Sequence, residues 1–226
     1  MSAKKTPRPI RSAKKIIYIF CEGESEQEYA NFLKEEFSDV AAIQPPVIGL
    51  FEQAKRNFSR EVRYKNKIEV IDEIWFFFDT EEDTGTSWDT TAAIIKWLKK
   101  LRKKPPIKIR LLMNKSCIEY WFLLHLKKTT IPIRSAQDKL LVEDQLKQKN
   151  FALSYKKGDH DSIFEIAQRY QIAKENGSWA LSQLKDSGLP PKDNESIRNE
   201  WLYKTTNTFT NVHEAIDFLE QLRIDK

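Results

Sequence analysis

The sequence predicts an α/β fold: a parallel-rich sheet of about four strands with helices on both faces, followed by a mostly helical C-terminal part. Three observations carry that expectation. Short apolar runs alternate with segments of helical periodicity through residue 128, the order that builds a parallel sheet. The run Ile74–Phe78 (IWFFF) is continuous rather than alternating, so it belongs at a sheet centre covered on both faces. Beyond residue 128 only helical patterns follow. The chain therefore divides into a basic flexible tail (1–14), an α/β domain (15–128) and a helical region packed on it (129–226).

Element by element, Lys15–Phe20 (KIIYIF) is β-branched and aromatic and reads as a buried strand. Glu24–Phe37 places Tyr29, Phe32, Leu33 and Phe37 at helical spacing. Pro45 and Pro46 open a short strand, Val47–Phe51, and residues 52–70 read as helical. After Ile74–Phe78 comes a helix over Thr90–Arg102, with Ile94, Ile95, Leu98 and Leu101 inward, stopped by Pro105 and Pro106. Ile107–Met113 is a strand and Ser116–Leu126 a mostly buried helix. Further helices are expected over 135–148, 161–176, 178–186, 195–203 and 212–223, with turns at Gly177, Gly188 and Pro190–Pro191.

Composition excludes several classes. The chain has 226 residues, 40% of them hydrophobic and 12% aromatic, enough for a packed core. Two cysteines cannot staple a secreted fold, and with three histidines they do not spell a zinc module. No apolar run approaches the ~20 residues of a membrane helix, and the basic start lacks a signal-peptide core. A cytoplasmic protein with no membrane association is expected. The net charge of +5 resides in the tail, since residues 1–15 hold six Lys/Arg and no acid. The body is polarised: residues 16–95 carry 17 acids against seven bases, and residues 96–110 carry eight bases and no acid. An acid-rich half beside a basic stretch suits a metal-dependent enzyme acting on a polyanion.

Ligands of open parallel sheets bind beyond the carboxyl ends of the strands. Three such ends are polar here: Cys21–Glu28 (CEGESEQE), Asp79–Asp83 (DTEED) and Asn114–Glu119 (NKSCIE). Glu22 and Asp79 each end a strand, so their carboxylates can converge on a hard cation, Mg²⁺ or Mn²⁺. Glu26, one helical turn past Glu22, can project over the same place, and Asp79 with Glu81 forms a D-x-E pair, with Asp83 as a further ligand. Plainer readings stand beside these. Acids in a first helical turn favour the helix dipole, and Asp83 or Asp89 could cap a helix. Ser116-x-x-Glu119 fits a capping box. His125, four residues past Trp121, suits a satisfied core histidine as well as a catalyst. No nucleophile elbow or phosphate-binding glycine loop is present.

Taken together, three blocks resemble the RloB family of bacterial abortive-infection proteins, which includes the AbiLii component: strand–CEGESE, strand–FDTEED and LMNKSCIEYWFLLH. The likeness extends weakly to Tyr155-Lys156-Lys157 and Thr210-Asn211-Val212-His213. It implies a Toprim-like domain in which Glu22 is general acid/base or metal ligand and Asp79 and Glu81 stand at the acidic pair. Glu119, Trp121 and His125 fall in the third block, with Glu119 and His125 as catalytic candidates and Gly23, Asn114 and Trp121 as supports. Two departures are Glu81 where the family has Asp, and Lys115-Ser116 where a Pro follows the Asn. The resemblance implies metal-dependent phosphodiester cleavage, with RNA such as tRNA favoured, and a neighbouring AAA-type ATPase as partner. Lys99, Lys100, Arg102, Lys103 and Lys104 of the basic run, with Lys115, would hold the nucleic acid. The competing reading is a non-catalytic Toprim-fold subunit that binds a defence ATPase.

Overall fold

A computed structural model describes residues 14–80, 87–148 and 154–226; the tail call (1–14) therefore falls almost wholly outside the described residues, as do Glu81 and Asp83. The first half runs β1 (Lys15–Cys21), α1 (Glu24–Glu36), β2 (Ala41–Ile43), β3 (Val47–Ile48), α2 (Phe51–Arg60), α3 (Val62–Lys65), β4 (Glu73–Thr80), α4 (Trp88–Lys99), β5 (Lys108–Lys115) and α5 (Glu119–Leu124). There follow α6 (Ala136–Lys147), α7 (His160–Ala167), α8 (Tyr170–Ser182), a 3₁₀ turn at Lys185–Ser187, α9 (Glu195–Lys204) and α10 (His213–Ile224).

Every strand pairing is parallel, in the order β2–β1–β4–β5, so β4 lies inside the sheet as its unbroken apolar run requires. β2 pairs with Lys15–Ile17 and β3 with Phe20–Cys21, on the same side of β1. They are two pieces of one edge strand, interrupted where Pro45 and Pro46 have no N–H to give. The expected strand Val47–Phe51 is accordingly shorter, and Phe51 already opens α2.

Side chains of successive strand residues point to opposite faces and seed two cores. Ile17, Ile19, Trp75, Phe77 and Leu112 pack under α1, α5, α6, α7 and α10. Phe20, Ile74, Phe76, Phe78 and Leu111 pack under α2, α4 and α9. The residues after 128 thus contribute to both faces. Phe209–Asn211 runs beside the end of β5, through Lys115 N–H to Phe209 O (2.8 Å) and Asn211 N–H to Met113 O (3.1 Å).

Several boundaries differ from expectation. The helical stretch 52–70 breaks after Arg60, leaving only the four residues of α3 beyond it. The helix expected over 161–176 breaks at Gln168–Arg169, and α8 runs straight through Gly177 instead of turning there. Gly177 lies inside the helix where a side chain would be crowded: a Cβ would stand 3.0 Å from Trp121 Cζ3 and 3.2 Å from His213 Nδ1. Gly188 does mark a turn, with φ +91°. Ser87, not Asp89, caps α4 by accepting from Thr90 N–H. The capping box at Ser116–Glu119 does not form. Ser116 takes a left-handed φ of 80°, its hydroxyl donates to Ile133 O, and α5 starts only at Glu119.

Candidate active site

The carboxyl ends of β1, β4 and β5 lie side by side, because Cys21 pairs with Phe77 and Asp79 with Asn114. Glu22 extends the first of them: its N–H donates to Phe77 O (2.9 Å), and its Oε2 accepts from Asp79 N–H (2.7 Å). One strand end thereby orients the acid of the next. Gly23 follows in extended backbone and caps α1 without a side-chain bond. A Cβ there would stand 3.1 Å from Glu26 Oε2, so the glycine leaves room for that carboxylate. Glu26 is 5% exposed and Glu119, at the head of α5, 4%.

Asp79 is positioned by a relay through the helical half of the chain. Asn114 Nδ2 donates to Asp79 Oδ1 (3.2 Å), and Thr210 Oγ1 donates to Asn114 Oδ1 (2.7 Å). Asn211 locks that segment down, since its Oδ1 accepts from Met113 N–H and its Nδ2 donates to Leu111 O. Glu119 Oε1 accepts from Tyr155 OH (2.8 Å), and Lys157 Nζ stands 4.0 Å from the same oxygen. Gly158 N–H donates to Ser25 Oγ (3.0 Å), and His160 pairs with Glu28 (2.8 Å). Residues 155–160 are in this way strapped across the first turns of α1.

Glu22, Glu26, Asp79 and Glu119 are close enough to feel one another. Burial raises Glu26 to about 7, against its own backbone N–H bond, and the charges of Glu22 and Glu119 add to the rise. Burial also pushes Asp79 well above the usual carboxylate range, followed by Glu26, Glu22 and Glu119, with the Asn114 bond opposing. Lys157 opposes the rise at Glu26 but does not cancel it, and buried, mutually repelling carboxyls of this kind favour holding a hard cation or a proton. Among the described residues no group of three or more His, Cys, Asp or Glu forms a ready-made metal site.

His125 and Trp121 lie behind the cluster in the core. The histidine is fully buried, 3.2 Å from Tyr29 Oη through Nε2 and 3.0 Å from Trp121 O through Nδ1, and burial lowers its pKa to about 3. That is the geometry of the satisfied core histidine.

The basic run is in the wrong place to serve these acids. It precedes β5, at the amino edge of the sheet, and eight residues at about 3.3 Å each put it roughly 25 Å from the strand ends. Arg102 is 9% exposed, donating to the carbonyls of Pro105, Ile68 and Glu69, and Lys99 faces Glu195 at 3.8 Å. Lys100, Lys103 and Lys104 are exposed on that far edge. Lys115 does end β5 beside Thr80, but it is buried.

On the other side of the acids opens a cleft of about 370 Å³, lined by Glu22, Asp79, Phe51, Arg56, Phe78 and Tyr203 among others. Arg56 carried no signal in the sequence, being one charge of a mixed helix. Tyr155 and Lys157 were visible only as a weak extension of a family likeness.

A family model described as RloB-like protein matches residues 17–219, which takes in all of these strand ends and the strap. No curated protein and no solved structure matches the chain.

Proposed function

Because the chain belongs to the RloB-like family, we propose that it acts in bacterial phage defence as a Toprim-like phosphodiesterase dependent on Mg²⁺ or Mn²⁺. RNA such as tRNA is the favoured substrate, and an AAA-type ATPase encoded nearby is the favoured partner. One observation carries the reading: Glu22, Glu26, Asp79 and Glu119, from three chain segments, gather at the carboxyl ends of adjacent parallel strands, close enough that their charges add to the raised proton affinity of Glu26 and Asp79.

Carboxylate oxygens are the donors a hard divalent cation takes, so the chemistry of the cluster fits one. Glu22, Glu26 and Asp79 would hold it, with Glu81 and Asp83 as further ligands outside the described residues. When bound, such an ion neutralises the phosphate and makes a nearby water more acidic. The chain's own groups do the rest. Where Glu26 and Asp79 hold the ion without it, Glu22, held by Asp79 N–H, would take the proton of the attacking water. The phosphorus–oxygen bond opposite breaks, and the leaving oxygen is protonated from solvent. Asn114 keeps Asp79 aimed at the site, while Trp121 and His125 hold α5, and hence Glu119, in position.

The competing reading is a binding subunit without chemistry. One experiment separates the two. A tRNA pool and plasmid DNA are incubated with the protein in Mg²⁺ or Mn²⁺, alongside Glu22→Ala and Asp79→Asn. The nuclease reading expects metal-dependent cleavage that falls at least ~100-fold in both variants, and the substrate consumed decides RNA against DNA. No cleavage in either metal, together with no metal binding by calorimetry, would leave the binding subunit.

A further inference from the structure

The nuclease reading asks for cations beside the acids, and the far-edge lysines do not supply them. Two other residues do. Arg56 lies on α2, which covers one face of the sheet, and it lines the cleft whose rim holds Glu22 and Asp79. Lys157 lies on the strap over the opposite face, where Tyr155 packs between α1 and α5. Its side chain is 73% exposed and only loosely engaged, 4.0 Å from Glu119. The row of carboxylates therefore runs between one cation on each side.

We propose that a single nucleic-acid strand crosses the strand ends from Arg56 to Lys157, its backbone phosphates held by these two residues, with the unpaired base on the Arg56 side seated in the cleft. The proposal rests on the nuclease reading and adds its substrate path. The cleft is what selects a single strand. Its lining includes Phe51, Phe78, Ile94 and Tyr203, an apolar and aromatic surface that a stacked, paired base cannot enter. The cations to either side provide phosphate contacts without sequence preference. The strap is anchored by Tyr155 to Glu119 and by Gly158 to Ser25, so Lys157 is carried on a fixed mount while its ammonium stays in solvent.

The test is binding of a 20-nucleotide single-stranded RNA in EDTA, read by fluorescence anisotropy over a range of salt. Cleavage plays no part in it. Each phosphate contact on a single strand contributes about 0.7 to the slope of log affinity against log salt. Arg56→Gln and Lys157→Gln are each expected to lower the slope by about 0.7, and the double variant by about 1.4. Tyr203→Leu is expected to weaken binding about fivefold or more without changing the slope. A triple Lys100→Gln, Lys103→Gln, Lys104→Gln variant is expected to bind as the wild type does, since these lysines lie at the opposite edge of the sheet from the path. The substituted Arg56 and Lys157 are exposed, and a melting temperature near that of the wild type confirms folding. Unchanged slopes in the Arg56 and Lys157 variants, a loss in the triple variant, or no salt-dependent binding by the wild type would each overturn the path. Binding that behaves as expected beside no cleavage in any metal would sink the nuclease reading and leave the path standing.

Discussion

At the scale of single residues, Glu26 is the clearest case of a carboxyl whose burial outweighs the nearby cation, Lys157. Its carboxyl is buried and raised to about 7, from 4.5 in an unfolded chain. Between those values the folded state keeps a proton that the unfolded state has released, so stability is present in full below pH 4.5 and declines as pH rises to about 7. The decline is about 3 kcal/mol at most. Glu26→Gln removes the group that must ionise and keeps its shape. In metal-free buffer at pH 7.5 the variant is expected to unfold at higher denaturant than the wild type, and at pH 4.5 the two should coincide. Equal stability at pH 7.5 would mean that Lys157 offsets the burial of Glu26 in full. Added Mg²⁺ is expected to raise the melting temperature of the wild type more than that of the variant, because the variant has one ligand fewer.

At the scale of elements, the strands were legible and the edges were not. IWFFF could only be an inner strand, since five consecutive apolar side chains need cover on both faces, and β4 is one. KIIYIF and its polar end CEGE were legible for the same reason. The edge pieces β2 and β3 are three and two residues long; β2 is too short for alternation to register, and the strand expected after Pro45 and Pro46 overruns β3 into what is the start of α2. Glu22, Glu26 and Asp79 could be paired in advance because each stands at a fixed offset from a strand end. Arg56 and Lys157 could not, because a sequence does not say which helix face or loop returns over a sheet edge. The basic run misled for the complementary reason: eight charges in fifteen residues mark a patch but not the edge that bears it.

Gly177 shows the same limit. A glycine between two helical patterns reads as a turn, whereas here it lets α8 pass against Trp121 and His213. Gly177→Ala adds a methyl 3.0 Å from the indole, which neither a helix nor a buried tryptophan can easily relieve. It is expected to cost about 1–3 kcal/mol by overpacking, despite the higher helix propensity of alanine. Urea unfolding measures it, and a stabilised variant would show that the contact relaxes.

At the scale of the whole molecule, two buried histidines oppose the acid cluster. Burial lowers His125 to about 3 and His213 to about 4; beside His213, Lys192 and Arg198 deepen the shift and Glu214 resists it. As pH falls from 6.5 toward 4, the unfolded chain takes up two protons that the folded chain refuses. Their contribution to stability is complete above pH 6.5 and is lost progressively on acidification below it. Glu26 and Asp79 have the opposite sign, since the folded state retains protons there that the unfolded chain has lost. Across pH 4.5 to 6.5 the two sets offset one another, and the metal-free protein is expected to show only a shallow pH dependence. The double variant Glu26→Gln, Asp79→Asn removes one set. Its stability should then fall steeply with acidification, starting below pH 6.5, where the wild type changes little. Guanidinium unfolding of both proteins at pH 7.0, 6.0 and 5.0 decides it. Parallel lines would mean that the cluster is already ionised in the folded protein and that burial does not hold protons there.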